Sequence, residues 1–349
     1  MENALTSIDF NEYLKRKKAE KKIIAHFCSY TPEELIHAAG ILPVRIFGTQ
    51  TVEKANSHLQ SYCCSYARKT LEEALNNQYD GFVFVHSCDT LQRLADITQC
   101  IPSDYHDCVG FPISLSTESK HKYLAHELTR FRTQLEQYAG PLSEATINKS
   151  IHIYNKNCKL LSQIYSLRKK GHIPAIFIDK IMKSSMIMEK EEHTEALAAF
   201  LETVEVQEAV HPRFLLSGSV ILNPEIFPVI ERYGSVAYDD LCTGSRYLTP
   251  IEEPTMEGLI QRYHSLWCPC RHMNQNRVEH LEKKCKEYAI DGIIFALQKF
   301  CEPHFFEVVH MRKELKERGI PSLLLELQDQ PVEQVRTRIQ AFSEMVEGV

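Results

Sequence analysis

Twelve cysteines occur in this chain of 349 residues, and no two form a C-x-x-C pair. Residues 1–22 are charged throughout and lack an apolar signal core, so a cytoplasmic location is expected. In a reducing compartment, thiols serve as metal ligands, catalytic groups or packing rather than as disulfides. Thiolates are soft ligands, suited to zinc, Cu(I) and iron–sulfur clusters. The missing C-x-x-C spacing disfavours zinc ribbons and ferredoxin-type runs. The thiols best placed for chemistry are therefore far apart in sequence. Cys64 lies near the start of a predicted helix, whose positive dipole end favours the thiolate. Cys88 follows the apolar run Gly81-Phe82-Val83-Phe84-Val85, and Cys301 follows Gly292-Ile293-Ile294-Phe295. Three thiolates on an iron–sulfur cubane leave one iron without a protein ligand, a Lewis acid within a redox unit. Cys63 is an alternative to Cys64. Adjacent helical positions project about 100° apart, so both are not expected to bind one cubane. Cys268-Pro269-Cys270-Arg271-His272 is either a zinc half-site or a loop with two reduced thiols. Cys28, Cys100, Cys108, Cys158, Cys242 and Cys285 read as core or loop residues.

The elements that must position these thiols follow from the hydrophobic pattern. Lys22 to Phe27 reads as a short strand. Thr31-Pro32-Glu33-Glu34 reads as a helix start, with Thr31 as cap, Pro32 in the first turn and Glu34 closing a capping box. Gly40 ends that helix and Ile41 to Ile46 forms a second strand. A helix over Ser61 to Asn76, a strand over Gly81 to Val85 and a helix through Asp96 follow. From about His121 to Lys170 the period is helical, with a break at Gly140 and a restart at Ser143. Strands resume at Arg213–Ser217, Val236–Tyr238, Gly292–Leu297 and Pro321–Leu327. Helices are expected at Pro224–Tyr233, Arg277–Tyr288 and Pro303–Arg318, a loop over Asp239 to Arg246, and a last helix carrying Phe342 and Met345. This alternation predicts an α/β protein with two Rossmann- or flavodoxin-like parallel-sheet domains. The expected division is an N-terminal α/β domain with a leading helix over residues 1–120, a helical connecting segment over 121–205, and a C-terminal α/β domain over 206–349. Ligands collect at the carboxyl ends of parallel strands. Cys88 and Cys301, each delivered by such a strand, would then face one interdomain cleft.

Composition removes several function classes. Lys and Arg number 40 against 46 Asp and Glu, a formal net charge of −6, which gives no electrostatic drive toward nucleic acid. The apolar runs are far shorter than the roughly 18 residues a membrane span needs. With 13 glycines there is no G-x-G-x-x-G or P-loop pattern.

Several longer motifs occur in a set order. They are Cys28-Ser29-Tyr30-Thr31-Pro32-Glu33-Glu34-Leu35-Ile36, Leu42-Pro43-Val44-Arg45 and Tyr62-Cys63-Cys64-Ser65-Tyr66-Ala67-Arg68, then His86-Ser87-Cys88-Asp89-Thr90 and Asp239-Asp240-Leu241-Cys242-Thr243-Gly244-Ser245-Arg246. Lys299-Phe300-Cys301-Glu302-Pro303-His304 and Arg336-Thr337-Arg338 complete the series. From about residue 20 to 346 the chain resembles the 2-hydroxyacyl-CoA dehydratase and benzoyl-CoA reductase family. The resemblance implies an oxygen-sensitive subunit whose [4Fe–4S] cluster is held by Cys64, Cys88 and Cys301 between two α/β domains. It implies a homologous cluster-bearing partner in a heterodimer, and an ATP-dependent activator that injects one electron at low potential. In the dehydratases the thioester carbonyl of a 2-hydroxyacyl-CoA meets the open iron. Electron transfer gives a ketyl radical, the 2-hydroxyl group is expelled, and deprotonation at the β-carbon returns the electron with the enoyl-CoA. Reductase relatives consume electrons instead. A related branch, an ATP-coupled reductase, carries a double-cubane [8Fe–9S] cluster and would give Cys268 and Cys270 a role, with a homodimer as the assembly.

By family position Ser29 faces the open iron and could hydrogen-bond the substrate carbonyl, or it is an ordinary loop serine. Glu302 and His304 flank Cys301 and either move a proton or stabilise the loop and helix start. His86 is expected beside the ligands, and Arg246 on a CoA phosphate or in an ion pair. The expected activity is a hydro-lyase of the 2-hydroxyacyl-CoA dehydratase type. The alternatives are a reductase subunit, an electron relay without its own acyl-CoA site, or a cluster-free scaffold.

Overall fold

The computed structural model describes residues 5–48, 51–77, 79–112, 118–270, 275–328 and 333–348. Helix α1 (Phe10–Lys18) starts at Asp9, whose carboxylate accepts the Asn11 and Glu12 N–H groups. Strand β1 (Ile23–His26), helix α2 (Glu33–Ala38) and strand β2 (Leu42–Arg45) follow, then α3 (Ser65–Asn76), β3 (Gly81–His86), α4 (Asp89–Thr98) and β4 (Tyr105–Gly110). Four helices come next: α5 (Glu118–Ala139), α6 (Glu144–Lys170), α7 (Ala175–Ser185) and α8 (Lys190–Thr203). The second α/β series is β5 (Arg213–Gly218), α9 (Ile226–Glu231), β6 (Ser235–Leu241), α10 (Met256–Ser265), α11 (Gln275–Tyr288), β7 (Gly292–Gln298), α12 (Glu302–Glu317), β8 (Ser322–Leu327) and α13 (Glu333–Glu347). The strands form two parallel sheets, ordered β2-β1-β3-β4 and β6-β5-β7-β8. The α/β expectation is met. Among the described residues no helix is long and apolar enough to cross a membrane.

Four local expectations change. Thr31 does not cap α2. Pro32 occupies the N-cap, the Thr31 hydroxyl is buried without a partner, and Glu34 accepts from the Tyr263 hydroxyl at 2.7 Å instead of closing a capping box. Proline next to the helix start fixes an extended entry that moves the threonine out of reach. Asp239 and Asp240 lie in strand β6, not in a loop, because buried arginines satisfy their carboxylates. Strand β4 was not foreseen, since its half-exposed edge position admits His106 and Asp107. Helix α10 was also not foreseen, and it crosses from the second series to the first.

That crossing decides where the cavity walls lie. Alternation along β1 and β3 sends Ala25, Phe82 and Phe84 to one face and Ile24, Val83 and Val85 to the other. The first face shares a core with Leu215, Tyr238 and Phe295 of the second sheet. The second face is covered by Leu124, Leu128 and Phe131 of α5 together with Leu259, Ile260 and Tyr263 of α10. Ser143 starts α6 as expected, accepting the Thr146 N–H, and Tyr165 and Arg168 of that helix reach Asp239 at 2.8 Å each. Helix α6 is thereby tied to the second sheet through a buried ion pair, while the two sheets share apolar contact.

Candidate functional site

Three helices begin on a cysteine. Cys64 is the N-cap of α3, Cys88 of α4 and Cys301 of α12, and none of these sulfurs makes a capping hydrogen bond. An oxygen-bearing side chain usually fills that position because it satisfies first-turn N–H groups. A sulfur there is left available while the positive helix end favours its thiolate. Before Cys301 the chain turns through Phe300, whose φ of 66° is left-handed and costs a side-chain-bearing residue on the order of 1 kcal/mol or more.

The three cysteines line one cavity of about 100 Å³. Its other walls come from the carboxyl ends of strands in both sheets: Cys28 after β1, Arg45 ending β2, Ser219 and Val220 after β5, Cys242 after β6 and Gln298 ending β7. Cys268 and Cys270 close it from the loop after α10. The Tyr30 hydroxyl holds that loop by donating to the Leu266 carbonyl at 2.7 Å. An adjoining outer cavity of about 250 Å³ shares Cys64, Cys88, Cys270 and Cys301 and adds His86, Phe300 and Glu302.

The thiols do not share one electrostatic environment. Burial pushes Cys64 up to about 11, opposed by the Ala67 and Tyr66 N–H groups. Burial also raises Cys301, and the negative charges of Cys64 and Cys88 raise it further. Cys88 moves down, chiefly through a hydrogen bond from the Cys270 thiol. Cys268 is brought down to about 6 by Cys270, against burial and with help from Arg246. Cys270 itself is raised well above the usual range by those two sulfurs and by burial.

The other expected site residues divide. Ser29 lies on the wall, donating to the Cys242 carbonyl at 2.5 Å and accepting from Arg45 Nη1 at 2.5 Å. His304 also lines the inner cavity and is held neutral by burial and by nearby Arg246 and Arg277. Glu302 is exposed at the first position of α12, on the outer cavity. His86 is exposed there too. Arg246 is buried in an ion pair with Asp240 at 2.8 Å, which answers the choice between phosphate contact and ion pair in favour of the pair.

Sequence reasoning missed several wall residues. Cys28 and Cys242 read as packing, yet each follows a parallel strand, and that position was the available signal. Arg45 ends β2 in the same way. Both Cys63 and Cys64 precede α3, so helical spacing cannot decide between them; Cys64 is the one that lines the cavity. Cys268 and Cys270 arrive through α10, which the hydrophobic pattern does not announce. His272, the histidine of the zinc alternative, lies outside the described residues.

Residues 28–346 match the family model described as 2-hydroxyglutaryl-CoA dehydratase, D-component. The (R)-phenyllactyl-CoA dehydratase beta subunit of Clostridium sporogenes is 30% identical over 345 residues, covering 93% of this chain and 91% of that protein. Lactoyl-CoA dehydratase subunit beta of Anaerotignum propionicum is 28% identical, over 91% and 90% respectively. A benzoyl-CoA reductase subunit of Thauera aromatica is 26% identical, over 90% and 88%. The family model matches residues 28–346 and the phenyllactyl relative covers 93% of the chain, so the chain belongs to the 2-hydroxyglutaryl-CoA dehydratase D-component family.

Proposed function

We propose that this chain is the iron–sulfur subunit of a 2-hydroxyacyl-CoA dehydratase-type enzyme, with Cys64, Cys88 and Cys301 as the ligands of a [4Fe–4S] cluster. The observation that carries this reading is that three cysteines remote in sequence, each an uncommitted helix N-cap, line one cavity. The donor set fits the group. Sulfurs on a single tetrahedral ion lie within about 4 Å of one another. Among the described residues no three His, Cys, Asp or Glu side chains gather around a single-ion position. Thiols spread around a larger space suit a polynuclear centre, and their soft character suits iron and sulfide.

Such a cluster, when bound, supplies one-electron redox chemistry and a Lewis-acidic iron. The chain's own residues do the rest. Ligation replaces the protons of Cys64 and Cys301, whose burial otherwise keeps them on sulfur. Phe27, Leu91, Val220 and Leu266 make much of the inner wall apolar, which excludes water from a reactive radical. Ser29 stands on the inner wall, where turning its hydroxyl away from the Cys242 carbonyl would let it donate to the substrate oxygen. Loss of water from a 2-hydroxyacyl group takes a proton from the β-carbon and gives one to the leaving hydroxyl. Glu302 at the outer mouth and neutral His304 within, on either side of Pro303, are the residues we assign to that exchange. The names of the relatives, dehydratase beta subunits among them, support a partner subunit; in this proposal that partner is homologous and cluster-bearing, and an ATP-dependent activator completes the cytoplasmic system.

A second reading has its own observation. Cys268 and Cys270 line the same cavity as Cys88, which supports a double-cubane cluster as its occupant. Iron analysis after anaerobic purification separates the two: about four irons per chain fits one cubane and about eight fits the larger cluster. Turnover of a panel of 2-hydroxyacyl-CoA thioesters with partner and activator tests the dehydratase reading. An iron-free, colourless protein from an anaerobic preparation rejects both.

A further inference from the structure

Arg45 is the last residue of β2 and only 2% exposed. Its Nη1 donates to Ser29 Oγ at 2.5 Å and to the Cys242 carbonyl at 3.3 Å, and Nη2 approaches Cys242 Sγ at 3.5 Å. Nε is buried without a hydrogen-bond partner. Among the described residues no carboxylate forms an ion pair with this guanidinium. The other arginines here are matched: Arg246 and Arg277 contact Asp240, and Arg277 also contacts Glu307. Of the two guanidiniums that line the inner cavity, Arg246 has a carboxylate partner and Arg45 has none among the described residues. An isolated charge taken out of water costs several kcal/mol. A fold that keeps one beside a cavity is prepared for an occupant with an electron-rich atom.

We propose that Arg45 is a substrate-binding residue whose guanidinium hydrogen-bonds the carbonyl oxygen of the acyl thioester, with Ser29 beside it. This deepens the acyl-CoA reading above and rests on it. A fixed cation at that oxygen grows in value as the oxygen gains electron density, so it favours the reacting state over the resting one. Ser29 holds the fork in position, since its hydroxyl bridges Nη1 and the Cys242 carbonyl.

The test uses the anaerobically purified chain, with iron content matched between variants. The probes are butyryl-CoA and S-butyl-CoA, the thioether analogue that lacks the carbonyl. The wild-type protein is expected to bind butyryl-CoA about tenfold more tightly than S-butyl-CoA, the worth of one charged hydrogen bond. The infrared stretch of an isotope-labelled thioester carbonyl should fall in frequency on binding. R45Q should lose the ratio and most of the frequency shift while binding S-butyl-CoA as the wild type does. If R45Q does not fold, R45K decides: it keeps the charge without the planar fork and should lower the ratio at least about threefold. An unchanged ratio and an unchanged carbonyl shift in the variant overturn the proposal and leave acyl-CoA binding standing. Failure of the wild-type protein to bind either thiol derivative overturns both.

Discussion

The two sheets present their cysteines alike and their charges differently. β3 and β7 hold the same place in the strand order, and each leads into a helix whose N-cap is a cavity cysteine. β2 and β6 also correspond, as edge strands. β2 ends in Arg45, which has no ion pair among the described residues, whereas β6 carries Asp239 and Asp240, paired with Arg168 and with Arg246 and Arg277. The paired edge is a structural device, because each buried charge there has its partner. The unpaired edge is poor as structure, since a cation without a counter-ion weakens the fold that holds it. The shared feature thus locates the thiols, and the difference marks which wall is turned toward an occupant.

The largest expected effect tests the shared feature. C88A or C301A should abolish retained iron after anaerobic purification, while C158A, on α6 away from the inner cavity, should keep it. Equal iron in all three removes the ligand assignment. The charge difference comes next. D240N leaves Arg246 and Arg277 short of a carboxylate and should cost about 3–5 kcal/mol in denaturant unfolding. Burial alone would raise the Asp240 pKa, yet Arg246 and Arg277 hold it well below the carboxylate range. Its contribution is therefore full above about pH 4 and is lost as pH falls further, a slope that D240N should flatten. Glu231 behaves oppositely: burial pushes it up to about 7. The folded protein then binds the extra proton between about pH 4 and 7, so stability falls as pH rises through that window. E231Q should remove this slope and gain about 2 kcal/mol at pH 8, read from unfolding curves at pH 5 and 8. The smallest effect is the one that sharpens the comparison. R45Q should cost no more than about 1 kcal/mol, because it deletes an unpaired charge; a loss as large as that of D240N would make the two edges equivalent.

The sequence made the strand–helix alternation legible because seven of the eight strands contain a short apolar run and the helices of the middle segment keep a clean period. It hid β4, whose edge position tolerates His106 and Asp107, and α10, whose start is set by Thr255 accepting the Gly258 N–H behind a run of acidic and proline residues. The candidate site was legible at Cys88 and Cys301, each reached from a clear apolar run, while the same position after a strand went unread at Cys28 and Cys242. It was not legible where tertiary packing does the placing. Cys268 and Cys270 face the inner cavity only because α10 rests on the first sheet, and no local pattern reports that contact. The pairing of Asp240 with two arginines, 6 and 37 residues away, is hidden for the same reason.

The crossing of α10 has a temporal meaning. A ribosome that has released all four strands of the first sheet has not yet made Leu259, Ile260, Tyr263 or Leu266, which cover one of its faces. Helix α5 is made directly after β4 and covers part of that face, but at ordinary synthesis rates the part under α10 stays uncovered for on the order of ten seconds. The nascent chain must be sheltered through this interval, and the segment that finally seals it also carries Cys268 and Cys270 to their places. Maturation of the first sheet and assembly of the inner wall are thus a single late step.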